Sequence, residues 1–161
     1  MSDVWVVNAS PLILLGRIGR IDLLVQLAPR VVVPAGVVSE LREGPSDDAA
    51  RTWVEGLGIG FVADVARVDP LVASWDLGLG ESHVLTLCRV LHQAQAILDD
   101  RAARNCAASL GLACRGTLGI LLLAKRKGLV TQVRPLLDAL LSQGLRLENR
   151  LIVAALRLAN E

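Results

Sequence analysis

Short runs in which every residue is apolar, each followed at once by a stretch with helical spacing, constrain this chain more than any other feature. Val4–Val7 is such a run, ended by Asn8, and Ser10-Pro11 supplies an expected N-cap and first helical residue. Leu12, Leu15 and Ile18, then Ile21, Leu24 and Val25, recur at helical intervals interrupted by Gly16 and Gly19, which predicts two short helices. Val31–Val33, between Pro29 and Pro34, reads as a second strand, and Val37, Val38 and Leu41 form a helical stripe closed by Gly44-Pro45. A strand with one wet face alternates apolar and polar residues, whereas a solidly apolar strand is covered on both sides. The pattern therefore predicts an α/β chain with a parallel sheet between two helical layers.

The same alternation continues. Ser46–Leu57 is expected as a helix capped by Ser46, with Asp47 and Asp48 in its first turn, and Ile59–Val62 as a weaker strand. Val84, Leu85 and Cys88 follow Glu81 at i+3, i+4 and i+7, an amphipathic helix with Glu81 on its apolar face. Ala96–Leu98 is a fourth strand, Arg101–Leu110 a helix, Leu112–Cys114 a fifth strand and Leu118–Arg126 another helix. Val130–Leu141 and Leu145–Ala159 then read as two helices with no strand between them, a helical extension at about 130–161 suited to a lid or a partner-binding hairpin. No repeat or linker divides the 161 residues, so one domain over 1–161 is expected.

Several classes are excluded. The longest apolar stretch, around Ile120–Ala124, stops at Lys125 and falls far short of the ~20 residues that span a bilayer. The opening MSDVWVVNAS has no basic n-region, so a cytoplasmic protein is expected. Cys88, Cys106 and Cys114 form no CxxC or CxxH pair and read as three buried thiols. His83 and His92 are expected on opposed faces of one helix, poor geometry for one metal ion. Gly56-x-Gly58-x-Gly60 and Gly78-x-Gly80 lack the spacing of a dinucleotide fingerprint, and no P-loop is present.

Charge is unevenly placed despite a net value of +1. Residues 1–100 hold seven basic against thirteen acidic side chains, whereas residues 101–134 hold seven basic ones and no acid. That polarity suits a site that holds cations and contacts phosphates beside it. A solvated face around Lys125–Lys127 accounts equally well for those three residues. With no Tyr, one Phe and three Trp, a stacking platform for bases is absent, so any nucleic acid would be held chiefly by its phosphates.

Asn8, Glu40, Glu81 and the Asp99-Asp100 pair each lie beside an apolar segment, where a carboxylate is costly unless hydrogen-bonded, paired or bound to a cation. Asn8 and Asp99-Asp100 follow strands, Glu40 lies in the helix after the second strand, and Glu81 opens the helix leading into the fourth. In parallel sheets such groups gather beyond the carboxyl ends of the strands. Hard divalent cations prefer carboxylate and water oxygens, and such ions can assist in-line phosphodiester hydrolysis. Each residue also has a structural role open to it. Asp99 or Asp100 can cap a helix, Glu81 can answer a helix dipole, Glu40 can be solvated, and Asn8 can cap a turn.

VVNASPLILLGRIGRIDLL, VVVPAGVVSEL, LGLGESHVLTL, AILDDRAAR and GTLGILLLAKRKGLV, which cover most of residues 4–130, resemble PIN domains. The likeness is closer to the short bacterial and archaeal proteins related to VapC-type toxins. It implies a PIN-like three-layer α/β/α sandwich with a central parallel sheet of four or five strands. It also implies Mg²⁺- or Mn²⁺-dependent endoribonuclease activity, the toxin role of a type II toxin-antitoxin pair, a small antitoxin partner and a homodimer. The acidic quartet falls on Asn8, Glu40, Glu81 and Asp100, with Asp99 adjacent as a further metal ligand. Ser10 matches the small hydroxyl residue near the first acid, expected to hydrogen-bond the RNA or a metal-bound water, and Arg101, Arg104 and Lys125 are the expected RNA-backbone contacts. The departure is Asn8, where the resembling proteins usually carry Asp, so a catalytically impaired binding module is the alternative.

Overall fold

The computed structural model describes residues 2–161. The strands are β1 (Val4–Val7), β2 (Arg30–Pro34), β3 (Val62–Ala63), β4 (Ala94–Ile97) and β5 (Ala113–Arg115), all parallel in the order β3-β2-β1-β4-β5. β1 is central. All four of its residues are buried, which is why the run is apolar without alternation. The register sets Val6 beside Val32 on one side and Ala96 on the other, and carries Val7 opposite Ile97.

The helices are α1 (Ala9–Arg17), α2 (Asp22–Leu27), α3 (Ala35–Glu43), α4 (Ala49–Glu55), α5 (Pro70–Ala73), α6 (Leu79–Val90), α7 (Arg101–Ser109), α8 (Thr117–Arg126), α9 (Arg134–Ser142) and α10 (Asn149–Leu158). They flank the sheet, with α6 packed on α3, β2, β4 and β1, and with α8 packed on α1 and α2. α9 and α10 both rest on α8, through buried side chains that include Leu137, Leu140 and Leu156. No helix among the described residues is long and apolar enough to cross a membrane.

Chain order explains where the site falls. From β1 the chain moves outward through β2 to β3, then crosses back to lay β4 on the other flank of β1. The direction of winding reverses between β1 and β4, and helices cannot close the crevice there at the carboxyl ends of the strands. Asn8 directly follows β1, and Asp99-Asp100 follow β4.

Several boundaries differ from the sequence expectation for identifiable reasons. Asn8, not Ser10, is the N-cap of α1, so Ser10 and Pro11 lie inside its first turn, where a missing N–H costs nothing. Val25 is exposed, because α2 buries Leu23 and Leu24 instead. α4 starts at Ala49, where the Asp48 carboxylate accepts the Ala50 N–H at 2.9 Å, a cap that Ser46 does not provide. Much of the expected strand at 59–62 is a 3₁₀ turn over Leu57–Phe61, leaving β3 two residues long. The expected helix from Val130 begins at Arg134, with Pro135 in its first turn, and the last helix begins at Asn149 rather than Leu145. α6 ends at Val90, so His92 lies outside the helix that holds His83. Cys88 and Cys106 are buried, but Cys114 is only half-buried.

Candidate functional site

Three of the expected groups meet beside β1. Asn8 is 1% exposed, and its Nδ2 donates to Glu81 Oε1 at 3.1 Å. Its Oδ1 is buried with no hydrogen-bond partner. Glu40, half-buried on α3, accepts the Gly80 N–H through Oε1 at 2.8 Å. Two glycines make the convergence possible. A Cβ on Gly80 would stand 2.6 Å from Glu40 Oε2 and 2.9 Å from Asn8 Oδ1, and one on Gly78 would stand 2.6 Å from Glu81 Oε2. The oxygens occupy the space that side chains at 78 and 80 would fill.

The electrostatics are adverse for an empty pocket. Burial raises the Glu40 carboxyl above its ordinary range, the Gly80 N–H opposes that rise, and the nearby charges of Glu81 and Glu43 add to it. An unpartnered amide oxygen beside two carboxylates lacks any donor in the protein, a deficit that a cation or a proton-donating ligand relieves. Oxygen donors in this mixture suit Mg²⁺ or Mn²⁺ rather than a soft metal. Asn8, Glu40 and Glu81 therefore offer oxygen donors of the kind that could hold a hard cation.

Asp99 and Asp100 are engaged elsewhere. Asp99 accepts the Thr117 N–H at 2.8 Å and the Thr117 hydroxyl at 2.5 Å, tying β4 to the first turn of α8. Asp100 is the N-cap of α7 and accepts the Ala103 N–H at 2.9 Å, the structural role open to it from sequence. Among the described residues no three His, Cys, Asp or Glu side chains form a group able to hold a metal. Two carboxylates and an amide gather beside β1, while the hydrogen bonds of Asp99 and Asp100 run to the first turns of α8 and α7.

The cationic residues also divide. Arg104 Nη1 donates to the Leu98 carbonyl at 3.0 Å, beside Asp99, and Arg101 opens α7 on the exposed side. Lys125 sits far along α8 and is paired with Glu161 at 2.6 Å, so it serves the C-terminal helices. Ser10 lies half-buried in the first turn of α1, two residues after Asn8. Sequence reasoning missed Gly78 and Gly80, whose signal is their placement around Glu81 in GLGES. It also missed His83, whose Nδ1 accepts the Gly36 N–H at 2.9 Å. That bond joins α6 to α3, the helices carrying Glu81 and Glu40.

A family model describing a PIN domain matches residues 4–161. The chain belongs to the PIN-domain family. The five-stranded parallel sheet flanked by helices agrees with a PIN fold, and the match extends through α9 and α10, beyond the motifs visible in the sequence. PIN domains are generally metal-dependent nucleases, and PIN nucleases act on RNA. None of the curated proteins compared with this PIN domain matches it.

Proposed function

We propose that this PIN domain is an endoribonuclease that hydrolyses phosphodiester bonds with Mg²⁺ or Mn²⁺ held by Asn8, Glu40 and Glu81. The observation that carries the reading is the buried, unpartnered Asn8 Oδ1 set among carboxylate oxygens. When bound, such a cation supplies charge neutralisation at a phosphoryl oxygen and lowers the pKa of water. The chain's own groups do the positioning. Gly80 fixes Glu40, the Asn8 amide fixes Glu81, and His83 locks the two helices in register. Asp100 starts α7 and thereby presents Arg101 and Arg104 toward a phosphate backbone, while Asp99 holds α8 beside them. The toxin role with a small antitoxin, a homodimer and a cytoplasmic setting belong to the same proposal and rest on the motif resemblance.

Asn8 favours a second reading, that of a catalytically impaired RNA- or protein-binding module, because an amide contributes an oxygen without its negative charge. Cleavage of labelled RNA in Mg²⁺ or Mn²⁺ separates the two. The nuclease reading expects cleavage that is lost in Glu81→Gln and raised in Asn8→Asp. Cleavage indifferent to both changes overturns it, and no cleavage under any condition favours the module.

A further inference from the structure

On the β5 side of the sheet, beyond the carboxyl end of β4, runs a cleft of about 680 Å³ whose lining includes Arg101, Arg104, Arg115, Arg146 and Arg150. We propose that this cleft, bounded by α7, the first turn of α8 and residues 146–151, is the track for a single-stranded RNA backbone, with Arg146 and Arg150 as positioning residues. The inference rests on the nuclease reading for its ligand, the RNA substrate of that reading.

Charge is the first argument. The lining holds five guanidinium groups and two carboxylates, Asp99 and Glu148. Both oxygens of Asp99 are taken by Thr117. Glu148 pairs with Arg150 at 2.6 Å, but the two side chains are 57% and 79% exposed, and an ion pair in that setting is weak and easily exchanged for a phosphate. The cleft therefore presents a positive field to solvent. Two of the five guanidiniums are anchored to backbone, Arg104 through the Leu98 carbonyl at 3.0 Å and Arg115 through the Gly119 carbonyl at 3.3 Å. Arg146 and Arg150 supply the opposite wall and face water.

Position is the second. Arg104 and Asp99 stand at the carboxyl end of β4, which pairs with β1, and the Asn8 N–H donates to the Ile97 carbonyl at 3.1 Å. Cleft and acidic pocket thus share one sheet edge, one strand apart. The third argument is the lining between the charges. Leu118, Leu122, Leu147 and Leu151 are apolar, no aromatic ring is present, and cations spread along the cleft match a chain of phosphates better than one anion. An unpaired strand can lay sugar and base faces on such a surface, with guanidinium planes available for stacking. Contacts of this kind carry little sequence discrimination.

The test is anisotropy of a labelled single-stranded RNA with the whole protein in EDTA, across a salt series. The double variant Arg146→Ala/Arg150→Ala is compared with Arg30→Ala/Lys127→Ala, an equal charge loss at the amino end of β2 and beyond the far end of α8. The cleft pair should weaken binding about tenfold at low salt, and the slope of log K against log salt should shrink by about 1.4, as for two lost phosphate contacts. The control pair should change both much less. In cleavage assays the cleft pair should raise KM while leaving kcat within about twofold. Equal losses in the two double variants, or no RNA binding by the native protein, overturn the track. Binding as expected without cleavage in any metal sinks the nuclease reading and leaves the track standing. Glu81-dependent cleavage with an unchanged KM in the cleft pair sinks the track alone.

Discussion

Glu161 at the end of the chain and Glu40 at the sheet edge carry the same carboxylate in opposite surroundings. Glu161 receives Lys125 Nζ at 2.6 Å, the Val133 N–H at 2.7 Å and the Arg134 N–H at 2.8 Å. The Lys125 contact first, and then the two backbone donors, push its carboxyl down to about 2. Glu40 has the Gly80 N–H, partial burial and the like charge of Glu81, and its carboxyl moves up. An acid satisfied by the chain holds elements together, as Glu161 holds α8, α9 and the end of α10. An acid held among like charges at a sheet edge is instead a candidate for binding chemistry.

The contrast is broken most directly by removing the acids that gather beside β1. Glu81→Gln should reduce RNA cleavage by roughly 100-fold or more, if its carboxylate helps hold the cation that neutralises the phosphoryl charge. Thermal denaturation without metal should show Glu40→Gln equal to or more stable than the native chain at neutral pH, because a carboxyl raised on folding destabilises the fold once it ionises. That advantage should vanish below its ordinary pKa of 4.5, where the carboxyl is protonated folded or unfolded. A lower melting temperature for Glu40→Gln at pH 7 would contradict the assignment.

Gly80→Ala comes next. Its Cβ would press on Glu40 Oε2 and Asn8 Oδ1, so metal affinity should fall on the order of tenfold or more while circular dichroism stays unchanged. A variant that binds metal normally would show that the oxygens have room to move apart. Asp100→Ala should cost about 1 kcal/mol in urea unfolding, whereas Asp100→Asn, which keeps the cap, should cost little. If Asp100→Asn leaves stability intact but abolishes cleavage, Asp100 is a ligand after all and the division drawn between the acids is too sharp. The smallest effect is at Glu161. Its stabilisation should be present above about pH 4.5 and fade as pH falls toward 2, and Glu161→Gln should flatten that acid limb without altering RNA cleavage.

The strands were legible wherever they are solidly apolar, because Val4–Val7 and Val31–Val33 have no other way to hide both faces. β3 was harder, since two residues carry no period and the preceding glycines favour a tight turn. Helix starts are harder to read where several capping residues lie together, as in Ser46-Asp47-Asp48, of which Asp48 caps α4. At the site, Asn8, Glu40 and Glu81 stand out in the sequence because each lies beside an apolar segment and falls on the positions that the PIN resemblance implies. The separate duties of Asp99 and Asp100 depend on which backbone N–H lies nearest, and that is visible only after folding. For Gly78 and Gly80 the one local signal is their place just before Glu81, because Glu40 and Asn8, which crowd Gly80, come from distant segments. Arg146 and Arg150 are visible as charges but not as a wall, since nothing local says that the start of α10 and the segment before it line a cleft with α7.

Calorimetric titration of Mn²⁺ and Mg²⁺ into the native protein and into Glu40→Gln/Glu81→Gln, without RNA, tests the central claim with no reliance on turnover. The account predicts saturable binding by the native protein, lost in the double variant and strengthened in Asn8→Asp. Equal binding in native and double variant, or saturable binding in neither, would contradict it.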